Sequence, residues 1–268
     1  MEIRLREFKE KFFDSLIEIH WRQWTALGVA SHVKPEKTWI VDLEPLIIST
    51  LTIGLHDKRL LSSSIEWLTK NGEWINLSRL KRITKVFSER PSELKAPPLY
   101  PGLLELFANT YNRNARYKIK YPKTDSYNAE DNVMNDYKTF FNNFKVRNVT
   151  TAPNLQLSSM IQLLLRNIFG VDARTEILIY LLAHEGGNSN SIAKEISYNQ
   201  KNIYTILEKW SQAQMVTKIS EQKNPRYSLN RKKELLHAIG LKEMPKYLNW
   251  TKTFLLLGRL AKALSISP

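Results

Sequence analysis

The chain has 268 residues, more than one ordinary domain needs, with 40 Lys and Arg against 26 Asp and Glu, a formal charge of +14. A surplus of that size opposes compaction, and chains carry it when the partner is a polyanion, nucleic acid first among them. Cys is absent, which excludes disulfide scaffolds, thiolate metal sites and thiol nucleophiles and fits a reducing compartment. A hydrophobic share of 43% with seven Trp is enough to build cores. The start, MEIRLREFKEKFF, lacks the continuous apolar stretch of a signal peptide, and the longest apolar runs, such as residues 177–183, are too short to span a bilayer. The expectation is a cytoplasmic protein with no membrane partner. Its charge is uneven: residues 201–250 hold ten Lys and Arg against four Asp and Glu, the steepest surplus in the chain. A localised patch, more than a uniform excess, is the footprint of a polyanion site.

In chain order, residues 3–30 place Leu5, Phe8, Phe12, Leu16, Ile19 and Trp24 at the period of one long amphipathic helix. After Pro35, Asp42 is placed to cap a helix carrying Ile47, Ile48, Leu51 and Leu55, and residues 58–70 form another that stops at Asn71 and Gly72. A short extended piece at 74–76 leads into a helix at 77–87. Its Leu77, Leu80, Ile83 and Phe87 share a face, and Arg79, Lys81, Arg82 and Lys85 point away from it. Pro91, Pro97, Pro98 and Pro101 punctuate the chain before an apolar helix at 103–111, so a helical N-terminal domain spans 1–112. Residues 113–153, rich in Asn, Asp, Lys and Tyr and broken by Pro122 and Pro153, read as a polar linker or excursion with a brief helix at 134–144. Its Arg113, Arg116, Lys118, Lys120 and Lys123 alternate with Tyr117 and Tyr121, as an edge strand, a phosphate-touching arm or a solvated loop would.

From Asn154 the pattern sharpens, and a domain at 154–240 is expected. A leucine-rich helix ends at Gly170, and Asp172 caps a second with Ile177, Leu178, Leu181 and Leu182, Asp172 and Glu176 suiting its positive start. Gly186 and Gly187 break that helix, residues 191–196 give a short one, and 197–199 make a turn. Asn199 caps a helix at 200–213 whose Ile203, Ile206, Leu207 and Trp210 form one face while Gln200, Lys201, Asn202, Tyr204, Thr205 and Lys209 lie elsewhere. Strands at 215–219 and 226–229 follow, joined by the polar tip 221–225. The order is helix, helix, turn, helix, hairpin.

That order resembles a winged helix-turn-helix domain, similar to those of MarR-like and ArsR-like transcription regulators, over about residues 171–230. The resemblance implies a recognition helix in the major groove of duplex DNA, with Gln200, Lys201, Asn202, Tyr204 and Thr205 facing bases or phosphate and Lys209 further along the same helix. Lys218, Lys223 and Arg226 would reach the backbone from the wing. Chemistry agrees: Gln and Asn can bond adenine N6 and N7 in pairs, while Lys neutralises phosphate. Where many relatives carry Gly, this chain has Ser197-Tyr198-Asn199 in the turn and Ala213-Gln214 after the helix. The N-terminal domain repeats the helix, turn, basic-helix logic at 61–87, as a second helix-turn-helix with Arg79, Arg82 and Lys85 facing DNA or as a plain helical hairpin. With both units binding, the chain would resemble tandem winged-helix proteins such as plasmid replication initiators.

No Walker loop, nucleotide fingerprint, nucleophile elbow or zinc-helix pair occurs among the motifs, and His20, His32, His56, His184 and His237 read as surface or partly packed. Glu130 and Asp131 read as chance neighbours in a polar segment. No enzyme activity and no cofactor are expected. Residues 241–268 carry a strongly apolar helix that must be covered, by the N-terminal domain or by a second copy in a homodimer. The expectation as a whole is a mostly α protein with a small β-hairpin wing that binds double-stranded DNA. The alternative is a protein-interaction or antitoxin-like regulatory module.

Overall fold

The computed structural model describes residues 5–89, 99, 100, 102–120, 132–219 and 224–266. The expectations placed on Lys223, Lys123, Tyr121, Glu130, Asp131 and the prolines at 91, 97, 98, 101 and 122 lie outside the described residues. Among those described, the protein is mostly helical with one three-stranded antiparallel sheet. It divides into two compact units, the first of residues 1–36, 42–153 and 250–268, the second of 37–41 and 154–249.

The first unit is built around α2 (Leu43–Ile53), in which every residue but Thr52 is buried. A helix apolar on all sides has to be covered on all sides. Packed on it are α1 (Leu5–Ala26), α3 (Lys58–Lys70), α4 (Leu77–Ser88) and α12 (Trp250–Ile266). Beyond them α5 (Leu103–Asn114) lies on α3, and α6 (Asn132–Asn142) lies on α5. Asp57 caps α3 by accepting the Leu60 N–H, and Asn76 caps α4 by accepting that of Arg79, both at 2.9 Å. Of the piece expected to be extended at 74–76, Trp74 closes a 3-10 turn, Gly72–Trp74, while Ile75 and Asn76 are extended. On α1 the apolar stripe is buried at Leu16 and Trp24, whereas Leu5 and Phe8 are exposed.

Arg79 does not face solvent. It borders the apolar stripe of α4, is 2% exposed, and extends its guanidinium to the start of α2. There Nη2 donates to Asp42 Oδ2 at 2.6 Å and Nη1 to Glu44 Oε2 at 2.7 Å, with a further bond to Asp42 Oδ1. Asp42 consequently makes no side-chain cap on α2, and Glu44 also accepts the Asn76 N–H at 2.8 Å. The reason is electrostatic: a buried guanidinium is tolerated when its donors meet carboxylates in a fixed fork. Arg82 and Lys85, further along α4, are exposed as expected.

Of the two readings of 113–153, the described part fits an excursion: the expected helix is present as α6, which buries Met134, Tyr137 and Phe141 in the first unit, and the Tyr137 hydroxyl donates to Leu51 O at 2.7 Å. Of the two ways expected to cover the C-terminal helix, α12 takes the first: Trp250, Phe254, Ala261 and Leu264 are buried, while Leu256 and Leu260 face outward. His20, expected near the surface, is fully buried between Leu16 O and Ser49 Oγ, and burial pushes its pKa down to about 4, so the ring is neutral.

The second unit runs α7 (Ile161–Phe169), α8 (Ala173–Ala183), β1 (Gly187–Asn188), α9 (Ser189–Ile196), α10 (Gln200–Gln212), β2 (Val216–Ile219), β3 (Arg226–Leu229) and α11 (Lys232–Ala238). Leu165, Ile177, Leu181, Ile192, Ile203, Leu207 and Tyr227 form its centre. Glu176 stands in the first turn of α8 as expected and is also buried with Arg166, whose Nη2 donates to it at 2.6 Å, and with the Gln162 amide at 3.1 Å. Strand β1 has no counterpart in the sequence reading, where Gly186 and Gly187 only stop a helix. Gly186 adopts φ +127°, and a Cβ on it would stand 2.5 Å from Tyr227 O, so the backbone can close on β3 only without a side chain.

Replacing Arg79 by Ala leaves two carboxylates without their buried counter-charge. The expected cost is about 3 to 5 kcal/mol, against about 0.5 kcal/mol or less for Arg82→Ala on the exposed side, read from urea unfolding at 25 °C followed by Trp fluorescence.

Candidate nucleic-acid interface

The second unit presents one outward helix face next to one antiparallel strand pair. Asn199 starts α10 by accepting the N–H of Lys201 at 2.9 Å and of Asn202 at 3.4 Å. Ile203 and Leu207 are completely buried, with Ile206 and Trp210 packed beside them. At 100° per residue this leaves Lys201, Tyr204, Thr205, Lys209 and Gln212 on the outside. The turn before α10 and the turn after it both contain left-handed residues, Ser197 at φ 59° and Gln214 at φ 56°. These are the two places where Gly would have been unstrained.

The sheet has the order β1-β3-β2, with Gly187 opposite Tyr227 and Asn188 opposite Arg226 on one side of β3, and Lys218 opposite Tyr227 on the other. Both strands flanking β3 are edges. Tyr227, in the middle, is fully buried, and its hydroxyl donates to Glu208 of α10. The same carboxylate receives Lys218 Nζ at 2.8 Å. Glu208 thus fastens the strand pair to the helix.

Of the residues expected to meet DNA, Gln200, Lys201, Asn202, Tyr204, Thr205 and Lys209 are all exposed on α10, Tyr204 by 41%. Lys201 and Lys209 make no ion pair among the described residues. Two of the group are partly engaged already: the Gln200 amide donates to Ser189 Oγ of α9 at 2.8 Å, and the Thr205 hydroxyl turns back to Lys201 O at 2.9 Å. Arg226 is exposed at the start of β3, its Nη2 reaching Gly186 O at 3.4 Å. Lys218 is exposed but is held by Glu208, so its charge is not free as the sequence suggested. Lys223 lies outside the described residues. Arg79, Arg82 and Lys85 belong to the first unit, and of these Arg79 is withdrawn into the core.

Sequence reasoning passed over Glu208, although its position on the polar side of a helix followed by a strand with Lys218 was a usable signal. It also passed over Lys194, exposed on α9. Among the described residues no group of three or more His, Asp or Glu converges as for a metal ion, and no helix is long and apolar enough to cross a membrane. Comparison of the chain with protein-family models, with curated proteins and with solved structures returns no match.

The hydrogen bonds from Lys218 and Tyr227 hold the Glu208 carboxyl below its ordinary value of 4.5, and those partners shift up in turn, Tyr227 first through burial and then through Glu208. A carboxyl with a depressed folded pKa stabilises the structure above its unfolded value, and that contribution is lost as pH falls through the folded one. Amide protection at Thr217, Lys218 and Ser228, measured against the unfolded chain at the same pH, is therefore expected to fall as the pH drops below the ordinary carboxyl value of 4.5 and Glu208 takes up its proton. Glu208→Gln should remove that pH step and leave these amides less protected at neutral pH.

Proposed function

We propose that the second unit is a winged helix-turn-helix and that the protein is a sequence-specific binder of double-stranded DNA, acting as a transcription regulator without cofactor or catalysis. The observation that carries this reading is the outward face of α10. Two free lysines, two amides and a half-exposed tyrosine stand on a helix whose opposite face is locked into a core. The width of the major groove admits one α-helix with its side chains, and the base edges there present distinct donor and acceptor patterns. The order helix, helix, turn, helix, hairpin from α8 to β3 supports the reading, with α9 as positioning helix and β2 with β3 as wing.

In this reading Asn202 and Gln200 supply amides for base edges, Gln200 exchanging its bond to Ser189 for one to DNA. Lys201 and Lys209 neutralise phosphates beside the groove, and Arg226 reaches the backbone from the wing. Lys218 acts mainly through Glu208, holding the wing at a fixed angle to the helix, so the two parts meet DNA as one rigid piece.

The test is binding to a random duplex pool as a function of salt, with sequencing of the retained DNA. Asn202→Ala should relax discrimination by about 1 to 3 kcal/mol at one base pair. Lys201→Ala or Lys209→Ala should weaken all duplexes alike and flatten the slope of log K against log salt by about one unit each. Equal losses on every sequence for both kinds of variant would contradict base readout, and no binding at low salt would overturn the proposal.

A further inference from the structure

In the first unit, a cavity of about 390 Å³ opens between the start of α3 and the end of α6, in the size range of small-molecule sites. Three basic residues line it from two parts of the chain: Lys58 from the first turn of α3, and Lys145 and Arg147 from the segment after α6. None of the three makes an ion pair among the described residues. Three like charges around one opening repel one another, an arrangement that an anion relieves. Hydroxyls at Ser62 and Thr139 line the same space, and Asp136 is the one carboxylate there.

The position of Arg147 is built in. Glu66, two turns along α3 from Lys58, is 1% exposed and turns its carboxylate toward the chain after α6. It accepts the N–H of Arg147 at 2.6 Å and of Val149 at 2.8 Å, and the Thr150 hydroxyl at 3.2 Å. Burial works to raise the pKa of Glu66, but these bonds together with Lys70 outweigh it and hold the carboxyl ionised. The backbone is thus tied down at Arg147, one of the residues that line the cavity. The remaining wall is aromatic: Phe140 and Phe144 are each half-buried and line the cavity from α6 and the residues just after it.

We infer that this cavity binds a nucleoside phosphate, the phosphate held by Lys58, Lys145 and Arg147 and the base lying against Phe140 and Phe144. A guanidinium flanked by ammonium groups suits a dianionic phosphate, and a planar base suits an aromatic wall. The site is separate from the proposed DNA face and does not depend on it.

The test is calorimetric titration of the full chain with adenosine monophosphate, with inorganic phosphate and adenosine as separate probes. The nucleotide should bind more tightly than either fragment. Lys145→Ala and Arg147→Ala should each weaken it by about tenfold or more, with unfolding midpoints unchanged because both side chains are exposed. Phe144→Leu, which keeps the apolar volume, should bring the nucleotide down to the affinity of inorganic phosphate. No nucleotide binding at millimolar concentration, or binding that survives both cation variants, would overturn the assignment. So would equal affinity for phosphate and nucleotide in the unaltered protein, which would leave an anion site without a base. The α10 variants Lys201→Ala and Asn202→Ala should leave this titration unchanged, so loss of DNA binding and loss of nucleotide binding are scored independently.

Discussion

A buried arginine has to be met by carboxylates, and both units are organised around meeting one. In the first, Arg79 draws Asp42 and Glu44 together and so ties α4 to the start of the central helix α2. In the second, Arg166 and Gln162 on α7 are closed by Glu176 on α8. Such pairs add little net stability over apolar packing, because desolvation offsets most of the attraction, yet an unpaired member is strongly disfavoured. They act as registration pins: one arrangement of the helices satisfies them, and slipped arrangements do not.

Those pins also shape the surface. Glu36, Glu44, Glu66 and Glu176 are buried, as are Arg79 and Arg166, with Glu44 paired to Arg79 and Glu176 to Arg166. Among the described residues, more carboxylates than guanidinium groups are withdrawn from solvent. The cations that remain outside are placed by helix geometry and backbone anchors: Lys201 and Lys209 stand opposite Ile203 and Leu207 on α10, and Arg147 stands where Glu66 holds its N–H. In each case an apolar or carboxylate anchor inside decides where a positive charge appears outside.

The second unit was the more legible in the sequence, because its signals are local. Asn199 caps α10, Asp172 caps α8, and the strand pair lies where alternation placed it, within a residue at each boundary. Even the absence of Gly at two turns was informative: Ser197 and Gln214 hold left-handed backbone there, a strain of about 1 kcal/mol each that the surrounding hydrogen bonds sustain. Strand β1 was hidden because two residues carry no alternation, and it exists through its bonds to β3 and the bare backbone of Gly186. The pairing of Glu208 with Lys218 and Tyr227 was hidden because it joins residues 10 and 19 positions apart across two elements.

The sequence by itself determined most of the helices, the caps of α8 and α10, the polar side of α10 and the excess of positive charge, since each follows from period, turn chemistry or composition within a short window. Only the tertiary structure decided which charges are available. Arg79 and Arg82 are three residues apart on one helix and equally basic on paper; one is sealed against α2 and the other stands in water. Residues 113–153 read as a linker or an excursion by composition, and Met134, Tyr137 and Phe141 enter the core because α5 offers a surface for them. The physical reason is common to both: burial and ion pairing depend on what lies across the fold, many tens of residues away in the chain, and no local pattern records that distance.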